Sequence, residues 1–132
     1  MESPSFAALR GAVATRHAHL VTIRRDLHRH PELSWQEERT TAAIAERLTE
    51  AGIAHRRLAG TGVVADIGDP DAAYRVLLRA DIDALPVRER TGLDWASVSP
   101  GVAHACGHDV HATALLGAGF ALTEQLDALR AA

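Results

Sequence analysis

The run "YRVLLRADIDALP", residues 74–86, constrains the fold more than any other stretch. Val76, Leu77 and Leu78 are continuously apolar, the pattern of a strand covered on both faces in a mixed or parallel sheet, not of a strand with one wet face. Such a strand needs neighbours on its edges and layers above and below, so it points to a layered sheet-and-helix architecture.

The flanking sequence supplies candidates for those layers. Phe6, Leu9, Val13, Leu20, Ile23 and Leu27 recur at helical spacing and predict a helix from Phe6 to about His28, stopped by Pro31. In "SWQE", Ser34 and Glu37 form a capping box expected to open a second helix, with Ala43, Ile44, Leu48 and Ala51 on its apolar face and Gly52 at its end. "IAHRRLA", "GVVADIG" and "YRVLLRA" are predicted as three strands separated by the turn formers "GTG" and "DPDAA". A polar loop follows, and then "VHATALLGAGFALTEQLDAL" predicts a third helix, with Gly117 and Gly119 suited to close packing on a sheet. The expected class is α/β, with residues 1–132 forming a single layered unit. That unit is expected to be incomplete, because a strand would normally return to the sheet after the third helix.

Composition narrows the function classes. A formal net charge of -3 and scattered arginines give no electrostatic case for nucleic acid. One cysteine, Cys106, cannot form an internal disulfide, which suits a reducing, cytoplasmic setting. No membrane partner is expected, since no stretch approaches the roughly 20 apolar residues of a span and the opening residues do not read as a signal peptide.

Two clusters carry candidate chemistry, both placed where an open sheet usually holds its ligands, beyond the carboxyl end of a strand. Asp81 and Asp83 follow the apolar run, and residues two apart in extended backbone point the same way, so a cation or shared proton would relieve their repulsion. The bland alternative is a solvated strand end with Asp83 in an Asx-type turn. The second cluster is "HACGHDVH", residues 104–111. His104, Cys106 and His108 share one side only if the backbone is extended or turning, with Gly107 permitting the turn. Thiolate with neutral imidazole suits zinc, nickel, cobalt or iron, and manganese less readily. Asp109 is expected either to cap the third helix or to orient a ligand imidazole. A cysteine nucleophile with a histidine base is the chemical rival. His17, His19, His28, His30 and His55 read as surface residues, and Glu37 and Glu38 as capping residues.

Three segments, "RRDLHRHPELSWQEERT", "VLLRADIDALPVRERTGL" and "PGVAHACGHDVHATALLGA", resemble in order the amino-terminal part of the aminoacylase and carboxypeptidase G-like metallohydrolases. The likeness is to the amidohydrolase branch that contains hippurate hydrolases and indole-acetyl-amino-acid hydrolases. The resemblance implies a catalytic domain with an inserted lid or dimerisation domain, a paired divalent metal centre (zinc, manganese, nickel or cobalt), and hydrolysis of the amide of an N-acyl amino acid, in an enzyme able to form a homodimer. It implies that Cys106 and His108 are metal ligands and that Asp83 is a catalytic-site group that orients or acts electrostatically. Asp81 stands where peptidase relatives have a metal-binding histidine, and no role is assigned to Asp81, His104 or His111. Relatives place a glutamate pair and further histidine ligands downstream, so the chain by itself is expected to be inactive. The alternatives are a standalone metal-binding or interaction module and a thiol hydrolase using Cys106 and His108.

Overall fold

The computed structural model describes residues 6–130. Three helices dominate: α2 (His17–Arg29), α3 (Glu38–Glu50) and α4 (His108–Glu124), preceded by α1 (Phe6–Thr15) and followed by α5 (Leu126–Arg130). Between α3 and α4 lie two short antiparallel strands, β1 (His55–Arg57) and β2 (Val63–Ala65), with Arg56 opposite Val64.

The core is helical. Ile23 and Leu27 from α2, Leu48 from α3, Ile53 after it, and Ala112, Leu116 and Phe120 from α4 form one buried cluster. The four-residue spacing within α2 and within α4 puts each set on one helix face, and burial of these faces against Leu48 and Ile53 holds the three helices together. Gly117 lets α4 approach α2: a Cβ there would sit 3.0 Å from a methyl of Leu20. The close approach expected against a sheet is therefore made against a helix. Among the described residues no helix is long and apolar enough to cross a membrane.

The single helix expected from Phe6 to His28 is two, broken at Arg16, where the N–H bonds the carbonyl of Val13 at 3.1 Å in place of a full helical turn. The Arg16 guanidinium reaches Glu124 and lies 5.3 Å from the centre of the Phe120 ring, tying this break to the far end of α4. The capping box at Ser34 does not form. The α3 helix begins at Glu38, and the N–H groups of Arg39 and Thr40 donate instead to the two carboxylate oxygens of Glu32, at 3.0 and 2.7 Å. Leu33 is drawn away from the helix by a parallel bridge to Ala84, and Glu37 is buried, accepting the Thr61 hydroxyl at 2.6 Å. The helix ends as expected, with Gly52 in left-handed backbone at φ 68°.

The third expected strand is the main departure. Tyr74, Val76 and Leu77 are 93%, 88% and 86% exposed, and among the described residues the N–H groups from Ala73 to Asp83 make no backbone hydrogen bond. The cause is the lack of neighbours: β1 and β2 pair with each other, and α4 packs on α1 and α2.

Candidate functional site

Backbone pairing brings the two sequence clusters together. Leu85 and Ala103 exchange two hydrogen bonds of 3.0 Å, closing residues 86–102 into a loop, while the Ala84 N–H donates to the Glu32 carbonyl at 2.8 Å. Asp83 is two residues before one side of this closure, and His104 is one residue after the other. Gly107, in left-handed backbone at φ 79°, then turns the chain into α4, so that His108 is the first helical residue and Cys106 lies in the turn before it. The expectation that Cys106 lies in a loop is met, and the helix begins two residues before the predicted start at Val110.

The closure sets up one short contact. The Nδ1 of His108 lies 2.8 Å from Oδ1 of Asp83 and 3.0 Å from its carbonyl oxygen, both groups being about three-quarters covered. Both neighbours are acceptors, so Nδ1 carries the proton and donates. A neutral ring with that proton would keep its lone pair on Nε2, the form in which a second-layer carboxylate prepares an imidazole for a metal. Cys106 is a free, exposed thiol. A thiolate and an Nε2 lone pair are donors that a divalent transition metal accepts, so these residues fit one side of such a site. Among the described residues no group of three or more His, Cys, Asp or Glu side chains is arranged to hold a metal ion.

The other polar residues of the two clusters make different contacts. Asp81 does not share a site with Asp83; it is exposed and pairs with Arg79, whose Nε donates at 2.9 Å. His111 is exposed one helical turn beyond His108, with ring centres 5.9 Å apart. His104 is buried, and its two ring nitrogens have no hydrogen-bond partner among the described residues. Burial pushes its pKa below the ordinary value; nearby His28 and His108 add to that, while Asp109 and Asp83 oppose it. Asp109 neither caps α4 nor bonds His108: its fully buried carboxylate lies 2.7 Å from His28 Nδ1, a hydrogen bond, and 2.9 Å from Arg24 Nε, an ion pair.

His28 therefore corrects the surface assignment. Its ring is buried, and its Nε2 lies 3.1 Å from Glu89, a residue of the 86–102 loop that the sequence did not single out. Burial raises the Glu89 pKa, but the Ser97 N–H, the Thr91 hydroxyl and His28 outweigh that and bring it down to about 2. The available signal was positional: Arg24 and His28 are four apart on α2, beside the buried stripe of Ile23 and Leu27. An open cleft of about 710 Å³ at the other end of α4, lined by Ile67, Pro70, Leu122 and Leu126 among others, contains neither imidazole nor thiol.

Comparison with known proteins takes in the stretch that holds both clusters. The sequence profile of peptidase family M20/M25/M40 matches residues 77–131. The chain is 51% identical over 119 residues to an N-acetyl-L-cysteine deacetylase of Bacillus subtilis, an alignment covering 89% of this chain and 29% of that protein. The fold superposes on a solved Bacillus subtilis dinuclear metal binding peptidase of the M20 family with a TM-score of 0.81 and 42% identity, covering 86% of this chain and 32% of that one. The chain is similar to the M20 amidohydrolases. It corresponds to an amino-terminal part of their catalytic domain and spans about 29% of the length of the first of these relatives. An IAA-amino acid hydrolase of Arabidopsis thaliana, 41% identical over 112 residues and 26% covered, extends the M20 likeness to plants while covering 84% of this chain.

Proposed function

We propose that this chain forms part of the metal-binding half of an M20 amidohydrolase that hydrolyses the amide bond of an N-acyl amino acid, the substrate class to which N-acetylcysteine and hippurate belong. The observation that carries the proposal is the Asp83–His108 contact, which leaves Nε2 of an imidazole free two residues from an exposed thiol. Cys106 and His108 would hold a zinc, manganese, nickel or cobalt ion of a paired centre. When bound, such an ion polarises the amide carbonyl and lowers the pKa of a bound water to about 7. Asp83 keeps the His108 proton on Nδ1 and so fixes which nitrogen faces the ion. Glu37, buried against Thr61, is not placed to take a proton from water. Cys106, His108 and Asp83 supply no base for that water, and the proposal expects no hydrolysis by the chain alone. An exposed lone thiol suits a reducing, cytoplasmic setting.

A chimera tests this. The matching 29% of the Bacillus subtilis deacetylase is replaced by this chain, and release of amine from N-acetylcysteine, hippurate and an indole-acetyl amino acid is measured with added manganese, zinc, cobalt or nickel. The proposal expects metal-dependent hydrolysis of at least one substrate, lost in Cys106→Ser and His108→Ala. A folded chimera whose activity ignores both substitutions would overturn it. The Asp83–His108 pair could equally orient a base for a thiol nucleophile, and activity that survives chelation but not alkylation of Cys106 would favour that second reading.

A further inference from the structure

We propose that His28 is a positioning residue, whose imidazolium joins Asp109 to Glu89 and thereby fixes the turn that carries Cys106 and His108. The inference rests on the metal-site proposal for its functional meaning, but its geometry is independent of it.

Both ring nitrogens of His28 face carboxylate oxygens, Nδ1 at 2.7 Å from Asp109 and Nε2 at 3.1 Å from Glu89. A neutral imidazole has only one N–H, so one of the two contacts would then set a lone pair against a carboxylate. With both nitrogens protonated each contact is a charge-assisted hydrogen bond. Charge balance agrees. Arg24 is the other cation: its Nε lies 2.9 Å from the same Asp109 oxygen, while its Nη2, which can only donate, lies 3.1 Å from His28 Nδ1 and opposes the shorter 2.7 Å Asp109 contact that places a proton on that nitrogen. Arg24 and His28 thus offset Asp109 and Glu89, as buried charges require. The remaining neighbour, the neutral His104 ring, is 6.4 Å away centre to centre.

The three elements joined by this ring are those that need joining. Asp109 directly follows His108 in α4, Glu89 sits in the 86–102 loop, and His28 is in the rigid helix α2. The same helix grips the loop twice more: Arg25 lies 3.9 Å from the Trp95 ring centre, and the Arg29 side chain and carbonyl bond the backbone of Asp94 and Val98. Residues 86–102 have no helix or strand of their own, so their shape depends on these anchors. Asp83 and His108 flank the loop, and their alignment depends on them in turn.

The test uses the whole chain. Long-range nitrogen–proton correlation NMR on the wild type should find both ring nitrogens of His28 protonated near neutral pH; a ring with one protonated nitrogen overturns the proposal. His28→Gln, which keeps only one short amide donor, is compared with Leu48→Ala, a core substitution away from the loop. In His28→Gln, amide exchange at residues 104–110 should quicken on the order of tenfold, and the zinc needed to protect Cys106 from iodoacetamide should rise by about as much. Leu48→Ala should lower Tm without either change. Wild-type values in His28→Gln, or equal changes in Leu48→Ala at matched loss of Tm, overturn the proposal. If zinc never protects wild-type Cys106, the metal-site proposal fails while the exchange comparison still decides the role of His28. Should His28→Gln not fold, the ring protonation of the wild type decides alone.

Discussion

The stretches before and after Ala84 behave in opposite ways. Residues 74–80 are the most apolar run of the middle of the chain, and they lie exposed with their N–H groups unpaired. Residues 85–109 mix polar and apolar positions in equal measure and are nearly devoid of helix and strand, yet they are held by hydrogen bonds that reach α2 across as many as 81 residues. The contrast teaches that order follows the partners within reach, not apolar content. A strand covered on both faces needs two edges and two layers. A polar loop needs only a matching donor for each acceptor.

The largest expected effect sharpens this contrast directly. Leu27 is 1% exposed in the core, and Leu27→Ala should cost about 2 to 5 kcal/mol in denaturant unfolding. Leu77→Ala, in the exposed run, should stay within about 0.5 kcal/mol. Equal losses would show that the exposed run packs in solution and would break the comparison.

Acid tests the polar side. The Glu89 pKa is about 2 in the folded chain against 4.5 for an ordinary glutamate, so its contribution is fully present above 4.5 and is lost as pH falls from there towards 2. Its size is on the order of 3 kcal/mol. Glu89→Gln should flatten the stability curve in that window. An unchanged slope would place Glu89 outside the clamp.

A smaller effect concerns the helix contact that replaces the expected sheet contact. Gly119→Ala meets only ordinary contacts and should gain about 0.5 to 1 kcal/mol from helix propensity. Gly117→Ala should gain less or lose, because its Cβ falls 3.0 Å from Leu20. A larger gain at Gly117 would mean that α2 and α4 are not in close contact there.

How much the sequence discloses follows from the same distinction. The α2 and α3 helices were legible because Ile23, Leu27, Ile44 and Leu48 follow the helical period. The turn at Gly107 was legible because Cys-x-His across a glycine suits few other backbones. The break at Arg16 was not, since it rests on a contact with Glu124, 108 residues away. The capping of α3 by Glu32 and the burial of His28 were missed for the same reason: local patterns assigned Ser34 and a helix surface, and distant partners decided otherwise. The run at 74–80 reads as a buried strand in the sequence and is exposed in the fold, because periodicity reports what a segment can bury and not whether anything covers it.

The central claim is that Cys106 and His108 are donors to one metal ion, with Asp83 behind the imidazole. Cobalt(II) titration of the chain, followed by thiolate-to-cobalt charge-transfer absorption, tests it most directly. The account predicts a band in the wild type that vanishes in Cys106→Ser, is lost or much weakened in His108→Ala, and needs about ten- to a hundredfold more cobalt in Asp83→Ala. No band at millimolar cobalt, or a band indifferent to His108→Ala, would contradict it.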